Sequence, residues 1–133
     1  MTSCSALLPI YYPQQKQVFT TFLDYRPYIS EGFYISPDSY NGEFEPIGQI
    51  FMTILPQEKL ISSDDRHNYD NVHYYGSEVY GFERISYAEL LNQAVVRAIS
   101  MGANGIVDLK INKTTFNGVI SYEISGLTIK INE

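Results

Sequence analysis

Ser86-Tyr87-Ala88-Glu89-Leu90-Leu91-Asn92-Gln93-Ala94-Val95-Val96-Arg97-Ala98-Ile99-Ser100-Met101-Gly102-Ala103-Asn104-Gly105-Ile106-Val107-Asp108-Leu109-Lys110-Ile111 is the stretch that decides the fold. Ser86 to Glu89 reads as a capping box, in which the serine oxygen accepts from the Glu89 amide and the Glu89 carboxylate reaches back. Leu90, Leu91, Ala94, Val95, Ala98 and Ile99 then form one wide apolar stripe, with Asn92, Gln93 and Arg97 off it. Gly102 suits a left-handed C-terminal cap. The expectation is a helix of about four turns lying on a sheet. After it the period drops to two. Val107, Leu109 and Ile111 share one face and Asp108 and Lys110 the other, which predicts a half-buried strand.

Downstream, Asn117-Gly118 is a strong hairpin signal. The final strand places Ile120, Tyr122 and Ile124 on one face, then Leu127, Ile129 and Ile131 on the opposite phase, with the switch at Ser125-Gly126. Two readings stand equally: a glycine bulge that resets the register, or an unbroken strand whose halves bury opposite faces, one of them against another chain.

Upstream, Ile47–Leu55 is apolar on both alternating sets (Ile50, Met52, Ile54 and Ile47, Phe51, Leu55). That predicts a central strand, or one that meets a second subunit. Val18–Tyr25 has strand composition, interrupted at Arg26-Pro27 because proline lacks the ladder donor. Glu31-Gly32 reads as a turn, Phe33-Tyr34-Ile35 as a short strand, and residues 37–42 as a loop. Residues 57–84 are polar and weakly patterned, with a loop at Ser62-Ser63-Asp64-Asp65 and a strand closing at Val79-Tyr80. The predicted class is α+β, one main helix packed on an antiparallel sheet. Residues 1–16 form an N-terminal tether and 17–133 a single domain, which includes an extra strand region at 17–45 and a polar insertion at 57–84.

The chain has 133 residues and a net charge of −6. Such a length supports one domain with a core that needs no staples. Its acidity argues against a nucleic-acid partner, which requires a basic stripe. A lone cysteine, Cys4, excludes an internal disulfide framework and any Cys-rich metal centre. No apolar run approaches a membrane span. The charge is uneven: residues 1–56 hold two basic and five acidic groups, 57–84 three and six, and 85–133 four and four. Eleven of the twelve tyrosines lie at or before Tyr87. The helix and last strands thus form a neutral, well-patterned module behind an acidic, Tyr-rich region.

The run Ala94–Ile111, with Met101-Gly102-Ala103-Asn104-Gly105-Ile106-Val107 at its heart, resembles the YbjQ-like family, whose signature of Gly-Ala-Asn/Asp-Ala/Gly joins an amphipathic helix to a strand. Tyr122–Ile131, with its internal glycine, is similar to the family's closing strand, and Pro46-Ile47-Gly48-Gln49-Ile50 resembles its early strand. The resemblance spans roughly 46–56 and 85–131. It implies a small dodecin-like α+β subunit that assembles into homo-oligomeric rings, commonly pentamers. It also carries a heavy-metal-binding label and no catalytic residues to transfer.

Thr2-Ser3-Cys4-Ser5 resembles the cut end of a bacterial lipoprotein signal, where the cysteine is lipidated. Asp24-Tyr25-Arg26-Pro27-Tyr28 and Gly32-Phe33 are similar to segments of Gram-negative envelope lipoproteins that carry such a domain. The resemblance implies lipidation at Cys4, location in the bacterial cell envelope and membrane contact through that anchor alone. Met1 would then be a start placed just upstream. The alternative is a cytoplasmic protein with a free thiol near its terminus.

Metal-type ligands cluster only in Asp64-Asp65-Arg66-His67-Asn68-Tyr69-Asp70-Asn71-Val72-His73. Imidazole and carboxylate suit zinc, nickel or copper, which makes His67, Asp70 and His73 the candidate ligands. The competing reading is a solvated loop, since a site needs three or four ligands in fixed geometry. Ser62, Ser63, His67 and Asp70 supply the residue types of a hydrolase, but nothing resembles a nucleophile elbow or oxyanion loop. Residues 102–105 follow a helix rather than precede one, so they stop a helix and cradle no phosphate. The tyrosines suit subunit contacts and sheet cover, with a ligand surface as the alternative. The expectation is a non-enzymatic oligomeric structural or binding module with no resident cofactor and no identified small-molecule ligand. A metal-binding protein using residues 64–73 is the second reading.

Overall fold

Ser86 Oγ accepts from the Glu89 amide at 3.1 Å and starts the long helix of the computed structural model, which describes residues 10–18, 20–116 and 118–132. In chain order the elements are α1 (Arg26–Ser30), β1 (Tyr34–Ile35), β2 (Phe44–Ile54), β3 (Glu58–Ile61), a 3-10 turn (Ser63–Asn68), β4 (Asp70–Tyr75), β5 (Glu78–Phe82), α2 (Tyr87–Ser100), β6 (Gly105–Phe116) and β7 (Val119–Ile131). Leu90, Leu91, Ala94, Val95 and Ala98 of α2 are buried as the stripe predicts. Ile99 is not: it is 54% exposed. At about 100° per residue it falls roughly 110° from the centre of the buried arc, beyond the face the sheet can cover. Gly102, at φ +91, closes the helix, and the Ala103 amide reaches back to the Ala98 carbonyl at 3.0 Å.

α2 lies on a four-stranded sheet of order β1-β6-β7-β2. The β6·β7 and β7·β2 pairings are antiparallel, and the two-residue β1 runs parallel to β6. Gly118, at φ +77, lies between β6 and β7 where the hairpin was expected; Asn117 of that signal lies outside the described residues. The core joins the helix stripe to Phe33, Ile35, Ile106, Leu109 and Ile124. The fold class is therefore α+β, helix on antiparallel sheet, as the periodicity predicts.

The phase switch has a different cause from the glycine bulge. β7 is unbroken, and the extra residue sits on its partner: Val107 faces Leu127 and Lys110 faces Ser125, so three steps on β6 oppose two on β7. Asp108 takes φ +53 there. Gly126 stands opposite because a Cβ on it would lie 2.6 Å from Ile106 Cγ2 and 3.2 Å from the Val107 carbonyl oxygen. The bulged Asp108 and Leu109 amides donate to the Asp38 and Ser36 carbonyls at 3.1 and 3.2 Å, so the loop after β1 satisfies them. Ile124 belongs to the core under the helix. Ile129, on the other phase, is equally buried but lies outside that cluster.

Three expectations are corrected. β2 is an edge strand, not a central one. The described residues of Val18–Tyr25 form no strand, and Val18 and Phe22 are exposed. Arg26-Pro27 does not end a strand there; it opens α1, with proline at the first helical positions where its missing donor costs nothing. Asp24 braces that entry, accepting from Arg26 Nε at 2.8 Å and from the Arg26 amide at 3.0 Å. The polar 57–84 segment is more ordered than its weak pattern suggests. It builds a second, three-stranded antiparallel sheet of order β3-β5-β4, with the expected Val79-Tyr80 strand at its centre. Among the described residues no helix is long and apolar enough to cross a membrane. Cys4 lies outside the described residues.

Candidate functional site

The Asp/His segment folds as the 3-10 turn and β4. Ser62 caps the turn by accepting from the Asp64 amide at 3.1 Å. His67 sits on this turn, and Asp70 and His73 on β4. The three side chains have separate surroundings. Arg84 Nε donates to Asp70 Oδ1 at 3.0 Å while its second arm donates to the His67 carbonyl at 2.9 Å, so one guanidinium ties the turn to β4. His73 crosses β5 instead. Its ring lies 6.0 Å from both Tyr80 and Phe82, Nδ1 is 2.8 Å from the Asn71 carbonyl oxygen, and Nε2 is 3.2 Å from Glu58 Oε2 on β3. The histidine thus staples all three strands of the small sheet. Among the described residues no three His, Cys, Asp or Glu side chains converge as a metal centre would need.

The Gly-Ala-Asn-Gly run does structural work at every position. Gly102 supplies the left-handed cap, and Ala103 is small and buried in the core. Asn104 acts as an extra rung: its amide group donates to the Ile131 carbonyl at 3.1 Å and accepts from the Ile131 amide at 2.7 Å. A Cβ on Gly105 would meet Ile129 Cγ1 and the Tyr34 carbonyl oxygen at 3.2 Å. The pairing of Asn104 with the strand end, 27 residues away, has no local sequence signal. Neither does the Glu58–His73 staple.

The remaining surface with chemical character is β2. Its inner residues Ile50, Met52 and Ile54 face the helix side, opposite Gly126, Ile124 and Tyr122 of β7. Its other flank has no strand partner among the described residues, which leaves a row of backbone donors and acceptors open. Phe51, on the face away from the helix, is 69% exposed, and Leu55 just beyond the strand is 68% exposed. Beside Phe51 lies a shallow cavity of about 250 Å³ lined by Gln49, Asp108, Lys110, Ser125 and Leu127. A polar ladder edge next to an exposed ring is suited to receiving another strand.

The tyrosines divide by neighbourhood. Tyr25 and Tyr28 pack on the core, and burial raises the pKa of each above the ordinary tyrosine value. Tyr87 meets Tyr122 edge-on at 4.8 Å, and Tyr34, Tyr40 and Phe44 form an edge-to-face row. Tyr11, Tyr12, Tyr74 and Tyr75 stay exposed.

The fold and surface define a helix-on-sheet α+β domain with a small appended sheet and a long edge strand, β2, whose outer flank has no strand partner among the described residues. Among solved structures the chain is similar to a protein of unknown function from Pediococcus pentosaceus that belongs to the DUF74 family, the grouping that holds the YbjQ-like proteins. The two share 17% identity and a TM-score of 0.47, over 76% of this chain and 99% of that one. No family model matches the chain, and no curated protein matches it.

Proposed function

We propose that this protein is a non-enzymatic module that works as a homo-oligomer, its subunits joined at the open edge of β2. The observation that carries this reading is Phe51, exposed beside a strand edge that has no partner among the described residues. Edge strands in proteins that stay monomeric are blunted by lysines, prolines off the ladder, or a covering loop. β2 has one proline, Pro46, near its start, and Ile47-Gly48-Gln49-Ile50-Phe51-Met52-Thr53-Ile54 after it carries no charge at all. Ring closure, in a pentamer or a ring of similar size, satisfies every such edge in turn. The YbjQ-like signature at residues 101–107 supports the same reading, because its residues hold the sheet together and leave no polar group over for chemistry.

The module is attached to the cell envelope through lipid on Cys4, with residues 1–16 as the tether. The metal-binding reading has no comparable support, since Asp70 and His73 are engaged by Arg84 and Glu58. Sedimentation equilibrium tests the assembly. Phe51→Glu places a charge in the contact and is expected to reduce the species to a single folded subunit, whose melting temperature no longer depends on protein concentration. A variant that keeps the wild-type mass removes β2 as the contact.

A further inference from the structure

Resting on the assembly reading above, and naming what occupies the edge, we infer that residues 14–22 of a second copy add as a strand to β2. Two unmet needs in one chain point to it. The segment Gln14-Gln15-Lys16-Gln17-Val18-Phe19-Thr20-Thr21-Phe22 is rich in β-branched and aromatic residues, yet its described residues have no strand partner. β2 is the reverse case, a strand with an open ladder and no neighbour on its outer flank among the described residues. Val18 is 79% exposed and Phe22 77% exposed, and both side chains gain free energy when taken out of water.

The pieces match in length, pattern and charge. Extended, residues 14–22 span about 30 Å, within the roughly 36 Å of β2. Val18 and Phe22 are four apart and so share one face of a strand, which can lie beside Phe51 and cover it. Pro13 lacks the ladder donor and ends the paired segment at its start. Residues 10–23 carry one charge, Lys16, whereas β2 begins between Glu43 and Glu45. The arm leaves the domain at α1, whose C-terminal side leads directly into β1, and β1 and β2 are opposite edges of the sheet. An arm that leaves one edge and completes the far edge of its neighbour makes a head-to-tail contact, which a ring closes.

The test uses the full chain. Thr20→Pro/Phe22→Asp removes a ladder donor and the apolar face from an exposed segment, so the subunit fold, read by circular dichroism, is expected to stay as it is. Light scattering is expected to show the wild type as an oligomer and this variant as a single subunit, like Phe51→Glu. An arm variant that keeps the wild-type mass while Phe51→Glu dissociates overturns the arm and leaves the assembly standing. β2 is then covered by another edge of a second copy, such as residues 110–116 of β6. A wild type that is itself a single subunit overturns both. A second measurement mixes a tagged Val18→Cys chain with an untagged Gln49→Cys chain, each also Cys4→Ser, and adds a short thiol cross-linker. Tagged and untagged chains are expected to join. Failure to join in an oligomeric sample overturns the exchange between copies.

Discussion

Asn104 and Ile131 bond each other twice, through Asn104 Nδ2 to the Ile131 carbonyl at 3.1 Å and through the Ile131 amide to Asn104 Oδ1 at 2.7 Å. A primary amide has the same donor and acceptor as a peptide unit, so the side chain stands in for a strand residue just where the helix hands over to β6. Asn104→Ala leaves both Ile131 groups part-buried without partners. The expected loss is about 1–3 kcal/mol in urea unfolding. Asn104→Asp keeps the acceptor but sets a carboxylate against the Ile131 carbonyl, so it is expected to recover little. An alanine variant as stable as wild type would show that the rung carries no stability.

Gly126 and Gly48 lie on paired strands but differ in the space around them. Gly126→Ala drives a methyl to 2.6 Å from Ile106 Cγ2 and is expected to cost about 1–3 kcal/mol by overpacking. A methyl on Gly48 would meet nothing within 4 Å, so Gly48→Ala is expected within about 0.5 kcal/mol of wild type. Thermal melts of the two variants, run side by side, check the ranking.

Tyr25, Tyr28 and Tyr122 all have pKa values raised in the folded state, chiefly by burial; at Tyr122 the neighbouring Tyr87 and the Asp70 charge add to it. The unfolded chain therefore ionises first. Their contribution to stability is complete below the unfolded tyrosine value of 10.0 and is lost as pH rises past it. Absorbance at the phenolate band should show a late-titrating set that follows loss of ellipticity, and Tyr122→Phe should flatten the alkaline limb. A single smooth titration with the fold intact would contradict this.

Calorimetry with zinc, nickel and copper is expected to give no stoichiometric uptake at His67, Asp70 and His73, because two of these side chains already bond Arg84 and Glu58. Uptake that disappears in His67→Ala/His73→Ala would restore the metal reading.

The sequence was most legible where interactions are local. The Ser86 cap, the buried part of the α2 stripe and the Gly102 stop depend on residues within a turn or two, and each stands as its pattern predicts. The strand after Gly105 forms, but not with Val107, Leu109 and Ile111 on one face: the bulge at Asp108 shifts the phase, so Ile106 and Leu109 join the core under the helix and Val107 does not. Long-range pairing was not legible. Nothing in Ile47–Leu55 says that only one flank finds a neighbour among the described residues, and nothing in Val18–Tyr25 says that its described residues form no strand. A bulge on the strand bearing Gly126 was one of two readings; it occurs on β6, because the glycine marks where Ile106 comes close rather than where the chain bends. Residues 57–84 hide their sheet because it is small, and is held by Arg84 and His73 rather than by a deep apolar stripe. The open edge, the basis of the proposed assembly, is visible only once strand order is known.

The most direct measurement is the mass of the wild-type chain by light scattering across a concentration series. The expected result is a discrete multiple of the 15.2 kDa subunit, collapsing to one subunit in Phe51→Glu. A wild-type chain that stays at 15.2 kDa at high micromolar concentration would contradict the proposed assembly.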